Sequence, residues 1–268
     1  MEFSNNDDSI IYDYDDRESY FLKTPLNMQK YDPFGNDSTS CPDFTQQEKC
    51  NLLEIHEDHY DYPEQFKSFL GNKTPRVLFC IGNYSLLKSQ VIMICGSRNA
   101  SGHGCELAYK CGRLIAEQDY TVASGYARGV DIAAHLGALE AGGSTIAILP
   151  YGLLKFRINR AIREAFDFEQ FLTVSELPPS CPFTGRNALR RNKLLVALSR
   201  AIIVIESGET GGTWFSAKYA SKKDKPLYFF EGLRPDVIPK LESIGGKRLK
   251  IKKGAPDLRK IFRLLREE

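Results

Sequence analysis

Between Val91 and Asp131 the chain repeats one pattern twice: a short apolar run, a glycine-bearing loop holding an arginine, then a helical segment. The first run, Val91 to Cys95, empties into Gly96-Ser97-Arg98. The second, Tyr120 to Ala123, empties into SGYARG at Ser124 to Gly129. Apolar runs of strand length that feed loops and helices build parallel sheets, and such sheets offer ligands the loops at the carboxyl ends of their strands. Glycine lets the backbone approach a ligand closely, and an arginine in each loop makes the expected ligand an anion.

The same alternation continues downstream. Leu107, Cys111, Leu114 and Ile115 form one apolar helical face after the first loop. A second helix is expected over about Val130 to Ala141, with Asp131 in its first turn complementing the helix dipole and Gly142-Gly143 as its stop. Thr145 to Leu149 reads as a strand, Ile158, Ile162, Ala165, Phe166 and Glu169 as a third helix, and Leu172 to Ser175 as a further strand. Asn187 is placed to cap a helix running to about Leu198, and Ala201 to Ile205 is an apolar run suited to a buried parallel strand. GETGGT at Gly208 to Thr213 precedes another helix, Pro226 to Phe230 another strand, and Lys247 to Arg263 predicts a basic helix at the edge. Upstream, Tyr60 to Leu87 reads as an entry segment with a strand at Val77 to Cys80. At least five strand, loop and helix alternations predict an α/β fold, a doubly wound mostly parallel sheet with helices on both faces.

Charge divides the chain. Residues 1 to 62 carry 4 Lys/Arg against 15 Asp/Glu, a net of −11, whereas the rest carries 32 against 19, a net of +13. The expected organisation is an acidic amino-terminal extension over residues 1–59 and a basic folded domain over residues 60–268. The extension has little periodicity, and its scattered tyrosines and phenylalanines leave a docking or DNA-mimicking role open beside the plainer reading of disorder. A basic domain favours a polyanionic partner such as nucleic acid. The longest apolar runs have strand length and the start of the chain is acidic, so neither a membrane span nor a secretory signal is expected and cytoplasm is the predicted location. Seven cysteines without a CxxC pair read as free thiols in a reducing compartment.

Four sets of residues could carry chemistry. At the first loop, Gly96 permits a tight turn, Ser97 offers a hydroxyl and an amide, Arg98 a bidentate phosphate contact, and a helix starting near Gly104 aims its amides the same way. At the second, Ser124 and Gly125 end a strand, while Arg128 and Gly129 open a helix; Arg128 either points into the crevice or pairs with Asp131 or Glu140. Arg190, Arg191 and Lys193 cluster round Asn192, where three cations and an amide can track a phosphate backbone; a solvated helix face is the competing reading. Gly211, Gly212 and Thr213 lie between a strand and a helix but lack the GK[ST] of a P-loop, so triphosphate hydrolysis is not predicted and no cofactor is implied. Glu206 and Glu209 could act as acid and base on a nucleoside, although strand-end carboxylates more often hold loops through backbone amides. His135 is read as a packed helix histidine. His103, Cys105 and Cys111 fit no common zinc spacing.

Taken together, the order of motifs resembles the DNA-processing protein A (DprA/Smf) family. The residues that carry the likeness are Tyr62-Pro63, Thr74 to Asn83, Gly96 to Arg98, Ser124 to Ala147, Ser175 to Pro178, Arg191-Asn192, Leu198-Ser199, Gly211-Gly212 and Ser216-Ala217, across about residues 60 to 232. The family's YG after GSR is His103-Gly104 here, and its R-N-R is R-N-K at Arg191 to Lys193. The resemblance implies a Rossmann-like domain that binds single-stranded DNA, forms homodimers, assists loading of the recombinase RecA in transformation and recombination, and catalyses nothing. It makes Ser97, Arg98, Arg128, Arg190, Arg191, Asn192 and Lys193 the candidates for phosphate contacts.

Two rival readings stay open from the residues alone. The same loops could close on one free nucleotide, as a sensor or a phosphoribohydrolase-like enzyme, which release of base from nucleoside monophosphates would reveal. An interaction module governed by the acidic extension is the other, tested by whether deleting residues 1 to 55 raises DNA affinity.

Overall fold

β-branched and apolar residues fill the central strands so completely that each must be covered on both faces. In the computed structural model, which describes residues 52–230 and 235–267, they are. The strands are β1 (Leu53–His56), β2 (Val77–Gly82), β3 (Val91–Gly96), β4 (Thr121–Ser124), β5 (Thr145–Ile148), β6 (Phe171–Ser175), β7 (Ala201–Ile205), β8 (Leu227–Phe230) and β9 (Lys247–Leu249), joined in one sheet of order β1-β2-β6-β5-β4-β3-β7-β8-β9. The run from β6 to β9 is parallel throughout, while β2 pairs antiparallel with β6 and β1 antiparallel with β2. Helices α1 (Glu64–Leu70), α2 (Gly102–Ala116), α3 (Val130–Glu140), α4 (Gly185–Leu198), α5 (Gly211–Ser221), α6 (Ile238–Ser243) and α7 (Arg259–Glu267) complete the chain, with a short hairpin of β10 (Ile251–Lys252) and β11 (Ala255–Pro256) before α7.

The period of two along each strand sorts the core into two layers. Ile92 and Ile94 of β3 face α2, α3 and α7, with Leu107, Cys111, Ile115, Ala134 and Ile261. Met93 and Cys95 face α1, α4 and α5, with Phe66, Leu194, Leu195, Leu198 and Ala217. From β3 the chain steps through β4 and β5 to β6 on one side, then returns through α4 to β7 on the other side of β3. Strand order therefore reverses between β3 and β7, and open α/β sheets hold their ligands in the crevice at such a switch point.

Three local expectations are corrected, and one strand is added. No third helix forms over 158–169; the segment holds a 3₁₀ turn, Arg160–Ile162, because Tyr126 Oη accepts from Asn159 N at 2.7 Å and donates to Arg157 O at 3.1 Å, pinning an irregular backbone. Its apolar spacing serves loop packing, with Phe156 and Ile162 buried on Phe171 and Leu136. The cap of α4 is Thr184, whose Oγ1 accepts from Asn187 N at 3.1 Å, so the helix starts two residues before Asn187. The basic carboxyl-terminal stretch is a strand, a hairpin and only then a helix, since Lys253 and Gly254 turn with positive φ ahead of Pro256. Finally, β1 lies in the span grouped with the acidic extension; its mostly exposed side chains hid a strand that pairs only at the sheet edge. The aromatic residues of the extension before residue 52 lie outside the described residues.

Candidate functional site

The carboxyl ends of β3, β4 and β7, with the walls of α4 and α5, enclose an open cleft of about 310 Å³ at the switch point. Of the residues singled out from sequence, Gly96, Ser97, Arg98, Gly125, Arg191, Asn192, Gly212 and Thr213 line it. The loops reach it for steric reasons. A Cβ on Gly96 would collide with the Ile205 carbonyl and the Val130 side chain, so only glycine lets β3 turn out beside β7. Thr213 Oγ1 then donates to Gly96 O at 2.9 Å, tying the start of α5 to the same loop.

Arg191 is the centre of the assembly. Its residue is 5% exposed, and its Nη1 donates to the carbonyls of Gly125 and, at 2.5 Å, Ile148, while Nε donates to Asn192 Oδ1 at 3.0 Å. A helix residue thus binds the carboxyl ends of β4 and β5 together. A Cβ on Gly125 would strike the guanidinium, which explains the glycine of SGYARG better than a ligand does. Asp131 supplies the opposing charge. Its Oδ2 accepts from Gly125 N and Ala127 N, both at 3.2 Å, so it shapes the loop as well as opening α3. Burial pushes the Asp131 carboxyl above the usual carboxylate range, while Arg191, the Ala127 amide and Arg98 pull the other way.

The remaining candidates flank the cleft or support it. Ser124 is fully buried, its Oγ donating to Ile94 O at 2.6 Å, so it joins β4 to β3. Arg128 is exposed and donates to Asn99 Oδ1 at 2.6 Å, pairing with neither Asp131 nor Glu140; the latter carboxylate accepts from Tyr109 Oη at 2.6 Å. Gly129, φ 79°, starts α3, and Gly211, φ 89°, starts α5. Arg190 pairs with the buried Glu176 at 2.8 Å, and Lys193 sits over the rings of Phe215 and Tyr219, 5.7 Å from each. Asn192 Nδ2 donates to Gly212 O at 3.1 Å and so bridges α4 to α5.

Electrostatics at the mouth favour an anion. Thr210 precedes α5 without a side-chain cap, and Thr210, Gly212 and Thr213 line the cleft, so the positive end of α5 opens onto it. The amino end of α2 does not. Ser101 Oγ accepts from Gly104 N at 3.0 Å, and the Glu206 carboxylate takes Ser101 N at 2.7 Å and the Ser101 hydroxyl. That overturns the expectation that amides near Gly104 join the site. It also gives Glu206 a loop-holding role; Glu209 pairs with Lys240. His135 is wholly buried, with Nδ1 2.6 Å from Thr145 Oγ1, and burial followed by Arg191 lowers its pKa to about 3, so it packs as a neutral ring. Cys105 and Cys111 lie on the buried face of α2 and His103 is exposed on the same helix, and among the described residues no group of three metal-ligating side chains converges. Cys80, Cys95, Cys105, Cys111 and Cys181 are free thiols.

Sequence reasoning missed the two-amide role of Asp131 and the linings from Ala188, Thr210 and Ser216. The spacing of Asp131, six residues after Gly125, was the one available signal.

Comparison with known proteins gives this geometry a lineage. The chain matches the family described as DNA recombination-mediator protein A over residues 53–267. Protein Smf of Synechocystis is 31% identical over 186 residues, 67% of this chain and 46% of that protein. Protein Smf of Escherichia coli is 31% identical over 180 residues, 66% of this chain and 48% of that one. The chain spans about half the length of these relatives. Among solved structures, DNA processing protein A from Streptococcus pneumoniae superposes with a TM-score of 0.65 at 28% identity, covering 75% of this chain and 72% of that one. The Helicobacter pylori DNA processing protein A has the same fold, with a TM-score of 0.66 at 24% identity over 81% and 96% of the two chains. Among the described residues no helix is long and apolar enough to cross a membrane. With a match that runs from β1 to α7, the chain belongs to the DNA recombination-mediator protein A family, also known as DprA/Smf.

Proposed function

We propose that the switch-point cleft binds the phosphates of single-stranded DNA and that the protein acts as a non-catalytic DNA-processing factor in recombination. The observation that carries this reading is the convergence of the Gly96–Arg98 loop, the Gly125–Ala127 loop and the uncapped end of α5 on one open cleft. Family membership supports the choice of DNA, and the +13 net charge of the chain after residue 62 suits a polyanion. In this proposal Gly96, Ser97, Arg98, Asn192, Gly212 and Thr213 meet the strand, with Arg128, Gly129, Arg190, Lys193 and Gly211 beside it. Ser124, Gly125 and Arg191 act from beneath by holding the loops. An open cleft rather than a closed pocket leaves bases room to leave the site and stack elsewhere. Glu206 and Glu209 are committed to Ser101 and Lys240, which speaks against a nucleotide-hydrolysing centre. Homodimerisation and partnership with RecA belong to the same proposal, checked by light scattering and by co-sedimentation with RecA filaments.

The test is an anisotropy titration of single-stranded DNA, duplex DNA, RNA and a panel of nucleotides at two salt concentrations. Single strands should bind most tightly, with affinity falling steeply as salt rises. Binding of a free nucleotide with no binding of single strands would replace this function with a small-ligand one.

A further inference from the structure

Beside the cleft, on the surface shared by α1, α4 and α5, three half-buried aromatic rings stand in a row. Phe215 and Tyr219 lie one helical turn apart on α5 with their rings nearly parallel, 2° between planes and 6.2 Å between centroids. Tyr219 meets Phe69 of α1 edge-on at 5.9 Å. Lysines flank the rings: Lys193 lies 5.7 Å from the centroids of Phe215 and Tyr219, and Lys223 and Lys225 lie 5.4 and 4.9 Å from that of Phe69. Phe69 and Tyr219 pack one side against the core, and each of the three rings keeps part of its surface exposed.

We propose that this row is a base-stacking platform that continues the single-strand track out of the cleft, with bases lying on Phe215, Tyr219 and Phe69 and phosphates meeting Lys193 and Lys223. It rests on the cleft's reading as a single-strand site and adds to it a second, sequence-tolerant segment. Continuity comes from α4, where Asn192 closes the cleft against Gly212 and the next residue, Lys193, flanks the first two rings. Charge complementarity selects the occupant. Lys193 lies among cations: burial first, then Lys73 and Arg190, hold its ammonium below the ordinary lysine range, and the nearby Glu176 carboxylate is engaged by Arg190. An incoming phosphate relieves that repulsion, and aromatic faces accept any base. A protein partner of like size would have to bring its own acidic groups to the same points.

The experiment compares a strand of about 5 nucleotides, long enough for the cleft, with one of about 20 that must also cross the platform. Phe215→Leu with Tyr219→Leu keeps apolar bulk and removes the π faces; Lys223→Ala, at an exposed position, removes one cation without touching the core. Emission from Trp214, the single tryptophan, reports that each variant is folded. Expected are unchanged affinity for the short strand, about tenfold weaker binding of the long strand by the double variant, and a shallower salt slope on the long strand for Lys223→Ala. Unchanged long-strand binding in the double variant overturns the platform, as does equal weakening of both strands. A change in oligomeric state without a change in DNA affinity also overturns it and makes the face a self-association surface. Failure of the wild-type protein to bind the short strand sinks the cleft reading itself, and the platform with it.

Discussion

Two regions of the molecule are rich in cations, and they treat them differently. At the carboxyl-terminal edge, Arg248 pairs with Glu242, Arg259 and Lys252 with Asp257, and Arg263 with Glu267. Hydrogen bonds from Arg259 and Lys252 hold the Asp257 carboxyl well below the usual carboxylate range, and Arg248 does the same to Glu242. These cations are mostly exposed, most of their charge is shared with a neighbouring carboxylate, and such surface pairs are screened by salt. In the cleft the central cation, Arg191, is buried and anchored on backbone carbonyls, and the nearby carboxylate, Asp131, is turned toward backbone amides. Counting charges makes the edge look like the stronger nucleic-acid site. What the cations are bonded to points to the cleft instead.

The comparison breaks most readily at Arg191. Replacing it with Ala strands two strand-end carbonyls and leaves Asp131 buried without its counter-charge, a loss on the order of 3–5 kcal/mol, so the variant should melt far below the wild type or fail to fold. Arg259→Ala at the edge should leave the melting temperature unchanged. Gly125→Ala comes next: its methyl group displaces the guanidinium, costing about 1–3 kcal/mol, again read from a thermal melt followed by Trp214 emission.

Acid sharpens the same contrast. His135 is held neutral by burial, with its pKa lowered from 6.5 to about 3. Between those values the unfolded chain binds a proton that the folded chain does not, so stability falls as pH drops through that window, by about 1.4 kcal/mol per pH unit. Asp131 and Glu176, whose carboxyls burial pushes up, oppose this in its lower part. His135→Gln should flatten the slope between pH 6.5 and 5 in denaturant melts; an unchanged slope would mean that the ring titrates in the folded protein. Among the cleft residues the smallest effect on stability is expected at Arg98→Ala, which removes the weaker of the two cations beside Asp131 and should melt much closer to the wild type than Arg191→Ala while losing DNA affinity.

The sheet was legible because its central strands are unbroken apolar runs closed by glycine loops; Ala201 to Ile205 is the same five residues in sequence pattern and in structure. The loops of the cleft were legible for the same reason. The basic cluster marks Arg191 in the sequence, but its hold on the strand ends is not legible there, since its partners Gly125 and Ile148 lie 66 and 43 residues away and no local pattern announces a guanidinium aimed at carbonyls. The segment over 158–169 shows the converse error. Its apolar spacing is helical, yet a single tyrosine hydroxyl, Tyr126 Oη, makes an irregular path more favourable. The carboxyl-terminal edge misled through composition, since eight cations in a short stretch suggested one helix where Lys253 and Gly254 enforce a turn.

In the proposed function the cleft, not the edge, holds the strand. The most direct measurement is the affinity of a strand of about 5 nucleotides for Arg98→Ala and Arg259→Ala across a salt series. Arg98→Ala should bind about tenfold more weakly, with the slope of log affinity against log salt reduced by about 0.7, while Arg259→Ala matches the wild type. The opposite pattern, an Arg98→Ala variant indistinguishable from the wild type and an Arg259→Ala variant that loses binding, would contradict the account.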